Sequence, residues 1–330
     1  MNVTSWAREQ AKRARDGVSE AMIPPEIRRK HRSLSDNQLA VVATSLQRNY
    51  FEPRFGGEYL STPEGKADHD DHLQGRLGLH RRRVVPWLNT FLPLERAKVV
   101  EIGCGTGAST VAIAEQGAQV VGFDLDVGSL EAARDRCSVY GLTADLREGN
   151  AENLPEDVLR DADITIFFAS IEHMTLDERL AALSHTWQAL KPGSWLVIVE
   201  TPNRLWWYDS HTALLPFYLW LPDDLAVHYA KYSERRPFNQ QVASPPSESM
   251  MLLLARIGRS ASYHEFQLAL GDLSGLEIRG MGGWLRRNPV TWAKWAMADC
   301  GFQRALTRRG PPGIAPAFYE PWLDLAIRKP

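Results

Sequence analysis

Cysteine is scarce in this chain of 330 residues: Cys104, Cys137 and Cys300 stand far apart and in no C-x-x-C arrangement. That excludes a disulfide framework and a thiolate metal site, and points to a reducing compartment. Charge of one sign is also lacking. A formal net charge of −2 removes any overall electrostatic case for nucleic acid or an acidic membrane surface. Long apolar runs are missing too. The most apolar stretches, 212–222 and 250–255, are too short to span a bilayer. Residues 1–20 hold no apolar core of signal-peptide length. With neither internal repeats nor low-complexity tracts, the expectation is a cytoplasmic globular protein.

What is present fits that class. Hydrophobic residues make up 44% and charged residues 24%, ordinary for a globular chain. The length allows one large domain or one domain with a sizeable insertion. Eleven tryptophans are unusual and point to a thick core or an aromatic-lined pocket.

Four zones follow from the rhythm of the sequence. Residues 1–95 read as a helical extension. Ser33 or Ser35 caps a helix through Leu39, Val42 and Leu46, and a second helix runs from Pro63 to Leu88. Residues 96–202 alternate short β-branched runs with helices, the signature of β-α-β units. Strands are predicted at 98–102, 120–123, 163–168 and 195–199, with helices at 106–116 and 129–140. A further helix opens at Thr175 and Glu178, which have capping-box spacing, and closes at Lys191-Pro192-Gly193. Residues 203–270 are aromatic, Pro-rich and irregular, and read as an inserted cap. Residues 271–330 supply closing strands at 276–278 and 323–327. The expected fold is α/β: a Rossmann-like, mostly parallel seven-stranded sheet flanked by helices, with the extension and the cap added.

The chemistry concentrates at Val99-Val100-Glu101-Ile102-Gly103-Cys104-Gly105-Thr106-Gly107. A strand that runs through glycines into a helix lets backbone approach a ligand, with helix N–H groups aimed at it. The segment also fits the dinucleotide fingerprint loosely, as Gly103-x-Gly105-x-x-Ala108. Glu101 separates the readings: its carboxylate would repel a pyrophosphate but suits the ammonium of a methionine moiety. Asp124, ending the next strand, suits ribose hydroxyls in either case. Gly149-Asn150-Ala151-Glu152-Asn153-Leu154-Pro155 follows where an adenine amino group needs an acceptor.

Together with Ile171-Glu172-His173-Met174, these motifs resemble the class I S-adenosylmethionine-dependent methyltransferase family, across roughly a third of the chain. The resemblance implies S-adenosylmethionine as cofactor. Glu101, Gly103, Cys104, Gly105, Thr106 and Gly107 would hold its methionine part, Asp124 the ribose, Leu125 and Ala151 the adenine, and Asn150 its amino group, with Glu152 and Ser170 nearby. Family members usually carry Asp where Asn150 stands, so that contact loses charge while keeping an acceptor.

A hydroxyl or ammonium acceptor needs its proton removed. His173, just after the fourth strand, is the first candidate, with His211, Tyr208 and His264 behind it; His173 alternatively only packs beside the Thr175 cap. Some relatives with E-x-x-E-H at this place are metal-dependent. Here Ala169 fills the first position, and Glu172 with His173 are too few ligands, so no metal is expected. The run His69-Asp70-Asp71-His72 reads as a helical surface with satisfied polar residues. The basic runs at 28–32, 81–83 and 286–287 read as solvated faces, not an RNA surface. Arg204, Tyr208, His211 and the Tyr263-His264-Glu265 cluster are the pocket candidates of the cap, while most of 214–221 reads as core.

The expected activity is methyl transfer to a small-molecule acceptor, at oxygen, with no nucleic-acid or membrane partner; a homodimer is one assembly the chain allows. Nitrogen, sulfur or carbon acceptors, an NAD-dependent oxidoreductase, and a non-catalytic cofactor-binding protein are the alternatives.

Overall fold

The computed structural model describes residues 23–235, 238, 242, 248–287 and 300–330. The N-terminal segment read above for a leader, and the side chain of Cys300, lie outside them. Seven strands form one sheet: β1 Lys98–Ile102, β2 Gln119–Asp124, β3 Asp145–Glu148, β4 Ile164–Phe168, β5 Trp195–Val199, β6 Ile278–Gly280 and β7 Leu325–Arg328. Their order is β3-β2-β1-β4-β5-β7-β6. Pairs β1–β2, β1–β4 and β2–β3 are parallel, and β6–β7 is antiparallel. Strands β4 and β5 are buried at every residue, which explains why their sequences are apolar apart from Thr165.

The chain divides into two compact units. The first takes residues 23–168 and 189–195 of the described chain. Its helix α1, Asp36–Leu46, opens on a capping box in which Ser35 and Gln38 satisfy each other's backbone N–H. The predicted helix from Pro63 to Leu88 is present as one helical path, interrupted by π turns at Asp71–Gly75 and His80–Val84. Fully buried Arg136 pins it by donating to the carbonyls of His72 at 2.7 Å and Leu73 at 3.1 Å. Helix α2, Ala108–Ala114, starts later than the predicted 106–116 because left-handed Gly107 caps it, and ends earlier, in a turn at 115–117. Helix α3, Val127–Val139, follows β2 and is capped by Asp126. Val42, Leu46 and Phe51 pack with Ala132 of α3 in one apolar cluster.

Two surface readings need correction here. His72 is buried, not part of a solvated helical face. Arg81 pairs with the buried carboxylate of Glu115, its Nε at 2.8 Å, while Arg32 caps the carbonyls of Tyr140 and Gly141 at 2.7 Å.

The second unit takes residues 169–188 and 196–330 of the described chain. Helix α4, Leu176–Ala189, starts at the predicted capping box: Thr175 N–H reaches Glu178 at 2.8 Å. Residues 203–270 prove less irregular than expected, with helices α5 Asp223–Ala230, α6 Glu248–Gly258 and α7 Tyr263–Leu270. They own a core, in which Leu215, Tyr218, Leu219, Val227 and Leu254 are buried together. Phe217 and Trp220 of the same stretch stay half exposed. The excursion is fastened where it leaves β5, against the chain that leads into β7. Asn203 donates its side-chain amide to the carbonyls of Phe318 at 2.7 Å and Glu320 at 2.8 Å, and Leu323 N–H reaches Thr201 at 2.7 Å. No helix among the described residues is long and apolar enough to cross a membrane.

Candidate active site

In the first unit, β1 delivers Glu101 to a fully buried position. The Ser109 hydroxyl donates to one of its oxygens, and Thr110 to the other at 2.6 Å. Burial pushes its pKa up to about 7, against the pull of those two donors. The following loop turns on Gly103, Gly105 and Gly107, with φ of 80°, 49° and 79°, a region that glycine enters without strain. Gly103 and Cys104 N–H groups both donate to the Phe123 carbonyl, at 2.8 and 3.1 Å, which ties the loop to β2. At Gly107 a Cβ would meet the Ala133 backbone at 2.9 Å, whereas at Gly105 it would meet nothing within 4 Å. The glycines therefore serve two ends, close helix packing at 107 and open space above 105.

Asp124, at the end of β2, accepts the N–H groups of Gly105 at 2.8 Å and Asp126 at 2.9 Å. It thus shapes the loop itself. Asn150 accepts the Glu152 N–H at 3.1 Å and donates to that side chain at 3.0 Å, so its oxygen is already engaged locally. Leu125 is exposed, as a face for an adenine ring would be, and Ala151 is buried. The Cys104 thiol is buried, which raises its pKa well above the ordinary value. Buried Thr106 stands 3.3 Å from His72 Nδ1, a neighbour no motif announced. Burial, helped by Arg76 and Arg136, lowers the His72 pKa to about 2, so that ring is neutral.

In the second unit, Ser170 opens the turn Ile171–His173, and its carbonyl accepts the His173 N–H at 3.1 Å. The fully buried Glu172 accepts the Thr201 hydroxyl at 3.0 Å, and burial pushes its pKa to about 8. His173 lies beside it: Nε2 is 3.8 Å from Glu172 Oε1, and Nδ1 is 2.9 Å from the Arg256 carbonyl. The rings of His173 and His211 are 5.5 Å apart, so the fold brings together two of the four catalytic candidates. Tyr208 is buried and its hydroxyl donates to the Leu214 carbonyl at 3.0 Å, a structural bond. Exposed His264 lines a cavity of about 470 Å³ with Arg204, Leu205, Trp220, Ser262 and Leu268, which includes neither His173 nor His211. Glu265, the cluster's acid, is buried in an ion pair with Arg179.

An α/β sheet with a left-handed glycine loop after β1 and acids ending β1 and β2 defines a nucleotide-type cofactor domain. Residues 99–193 match the family model described as a methyltransferase domain. This chain thus carries a class I S-adenosylmethionine-dependent methyltransferase domain. Among curated relatives, it is 33% identical over 120 residues to a ubiquinone biosynthesis O-methyltransferase of Stutzerimonas stutzeri, covering 36% of this chain and 50% of that protein. A namesake from Ruegeria pomeroyi is 36% identical over 117 residues, covering 36% and 46%. The chain spans about half the length of these relatives. A solved structure of CalS10, an amino pentose methyltransferase from Micromonospora echinaspora, is similar at 22% identity and a TM-score of 0.35, covering 44% of this chain and 58% of that one.

Proposed function

We propose that the chain transfers a methyl group from S-adenosylmethionine to a hydroxyl of a small molecule. Residues 96–202 serve as the cofactor core and 203–270 as the acceptor cap. The observation that carries the reading is the gathering of two imidazoles, His173 and His211, at the buried carboxyl of Glu172. Such a group can take or hold a proton at neutral pH, which a hydroxyl or ammonium acceptor requires and an already nucleophilic thiolate does not, so it speaks against sulfur and leaves oxygen and nitrogen to be separated by the acceptor panel. The names of the relatives, O-methyltransferases of ubiquinone biosynthesis, favour oxygen.

When bound, the cofactor supplies a methyl group already activated on a sulfonium. The remaining work falls to the chain. Glu101 and Asp124 hold charge and hydroxyls in place, the loop over Gly105 leaves room, and the cap orients the acceptor. Arg204 and His264 in the mostly apolar cavity give a small ligand polar anchors among walls of leucine and Trp220. Cytoplasmic residence and a homodimer belong to the same proposal, and sedimentation of the purified chain checks the second.

The test is turnover of S-adenosylmethionine to S-adenosylhomocysteine with a panel of phenolic, aliphatic, amine and thiol acceptors. His173→Ala should lower kcat by roughly 10²–10⁴ while cofactor affinity stays. Preference for an amine or thiol, or undiminished kcat in the variant, would overturn the oxygen reading.

A further inference from the structure

Glu172, His173 and His211 each offer one ligand atom, and these atoms lie within 4.8 Å of one another. Two come from the turn after β4, the third from the cap. Hydrogen bonds fix both imidazole tautomers. The Arg256 carbonyl can only accept, so the His173 Nδ1 2.9 Å away carries the proton. The Thr212 hydroxyl donates to the Gly258 carbonyl at 2.8 Å, so it accepts from His211 Nδ1 at 3.0 Å. In its neutral form each ring then has its acceptor lone pair on Nε2. Gly258 makes this packing possible: with φ of 122°, a Cβ there would come within 3.2 Å of the His211 ring.

Glu172 adds a second, independent sign. One of its oxygens accepts the Thr201 hydroxyl, but Oε1 is buried with no hydrogen-bond partner among the described residues, 3.8 Å from His173 Nε2. A buried polar oxygen without a partner costs free energy, which a cation would offset. Imidazoles anchored through Nδ1 to a carbonyl or hydroxyl are the usual companions of a metal.

We propose that Glu172 Oε1 and the Nε2 atoms of His173 and His211 bind a divalent transition cation. Two nitrogens and one oxygen favour zinc, cobalt or manganese over magnesium and calcium, which prefer oxygen shells. Ligation at about 2.1 Å requires the donor atoms to draw inward by roughly 1 Å, a side-chain adjustment. His211 supplies the third ligand that Ala169 cannot, and makes the set richer in nitrogen than E-x-x-E-H would be. Three protein ligands leave a position open, where a hydroxyl loses its proton more readily. The inference deepens the oxygen-methylation reading and rests on it only for what fills that position.

The test reads binding, not turnover. The full chain, stripped with a chelator, is titrated with Zn²⁺ by calorimetry and with Co²⁺ by visible absorption. One cation per chain is expected, with a cobalt spectrum of nitrogen and oxygen ligation. His211→Ala and the near-isosteric Glu172→Gln should each weaken affinity roughly tenfold or more, and His228→Ala on exposed α5 should not. Absence of binding, or unchanged affinity in folded His211→Ala and Glu172→Gln proteins, would overturn the metal site. Because no methyl acceptor is involved, failure of the turnover assay leaves this result standing, and the reverse also holds.

Discussion

Arg256 and Glu178 form a two-pronged ion pair at 2.5 Å, and the Arg256 guanidinium also reaches the His173 carbonyl at 3.3 Å. The pair joins α6 to the capping box of α4 and so fixes the turn that bears His173.

This pair makes stability sensitive to acid. Arg256 holds the Glu178 carboxyl down at about 2, against 4.5 in an unfolded chain. A depressed carboxyl contributes stability that is present above the unfolded pKa and is lost as pH falls from about 4.5 towards 2. The guanidinium is partly exposed, so screening reduces the contribution to about 1 kcal/mol. Glu178→Gln should lower the unfolding free energy by that amount at pH 7 and flatten the acid limb. Urea melts at several pH values check both.

Asp124→Ala should lower S-adenosylmethionine affinity tenfold or more, the loss of a carboxylate taking two hydroxyl hydrogen bonds costing about 1.5–3 kcal/mol. Since Asp124 also receives the Gly105 and Asp126 N–H groups, Asp124→Asn is the sharper probe. It keeps one acceptor for the loop. Calorimetry that finds either folded variant as tight as the parent removes the ribose assignment.

Cofactor affinity should rise with pH through about 7. Without ligand, Glu101 is half protonated there, and an ammonium favours the carboxylate. Below that pH the proton must leave before the cation binds, so affinity should fall about tenfold between pH 8 and 6. Glu101→Gln should bind more weakly with no such slope. A flat profile in the parent would move the ammonium away from Glu101.

The loop glycines should separate packing from ligand space. Gly107→Ala drives a Cβ into the Ala133 backbone and should destabilise the fold by about 2 kcal/mol or more. Gly105→Val meets no protein atom at its Cβ, so it should fold, with about 1 kcal/mol of backbone strain, yet bind no cofactor. Thermal melts and ligand titration distinguish the two.

Local signals explain what the sequence reading captured. The caps at Ser35 and Thr175, the buried runs of β1 and β5 and the helical path from Pro63 all depend on neighbours within a few residues. His72 escaped because the π turn at Asp71–Gly75 shifts the helix face, and a 3.6-residue period cannot foresee that shift. Helix α6 carries an amphipathic pattern free of proline and aromatic residues, and escaped notice because prolines and aromatics dominate the stretch around it. His211 met Glu172 only through the folding of the cap, and no spacing along the chain encodes that encounter.

The fastening of Thr201 and Asn203 to the segment from Phe318 to Leu323 has an evolutionary consequence. With both roots anchored, the residues between form a closed loop whose entropy grows only logarithmically with length, about 0.6 kcal/mol per doubling. Insertions or deletions in the intervening segment outside β6 therefore carry little thermodynamic penalty, so drift in its length is cheap.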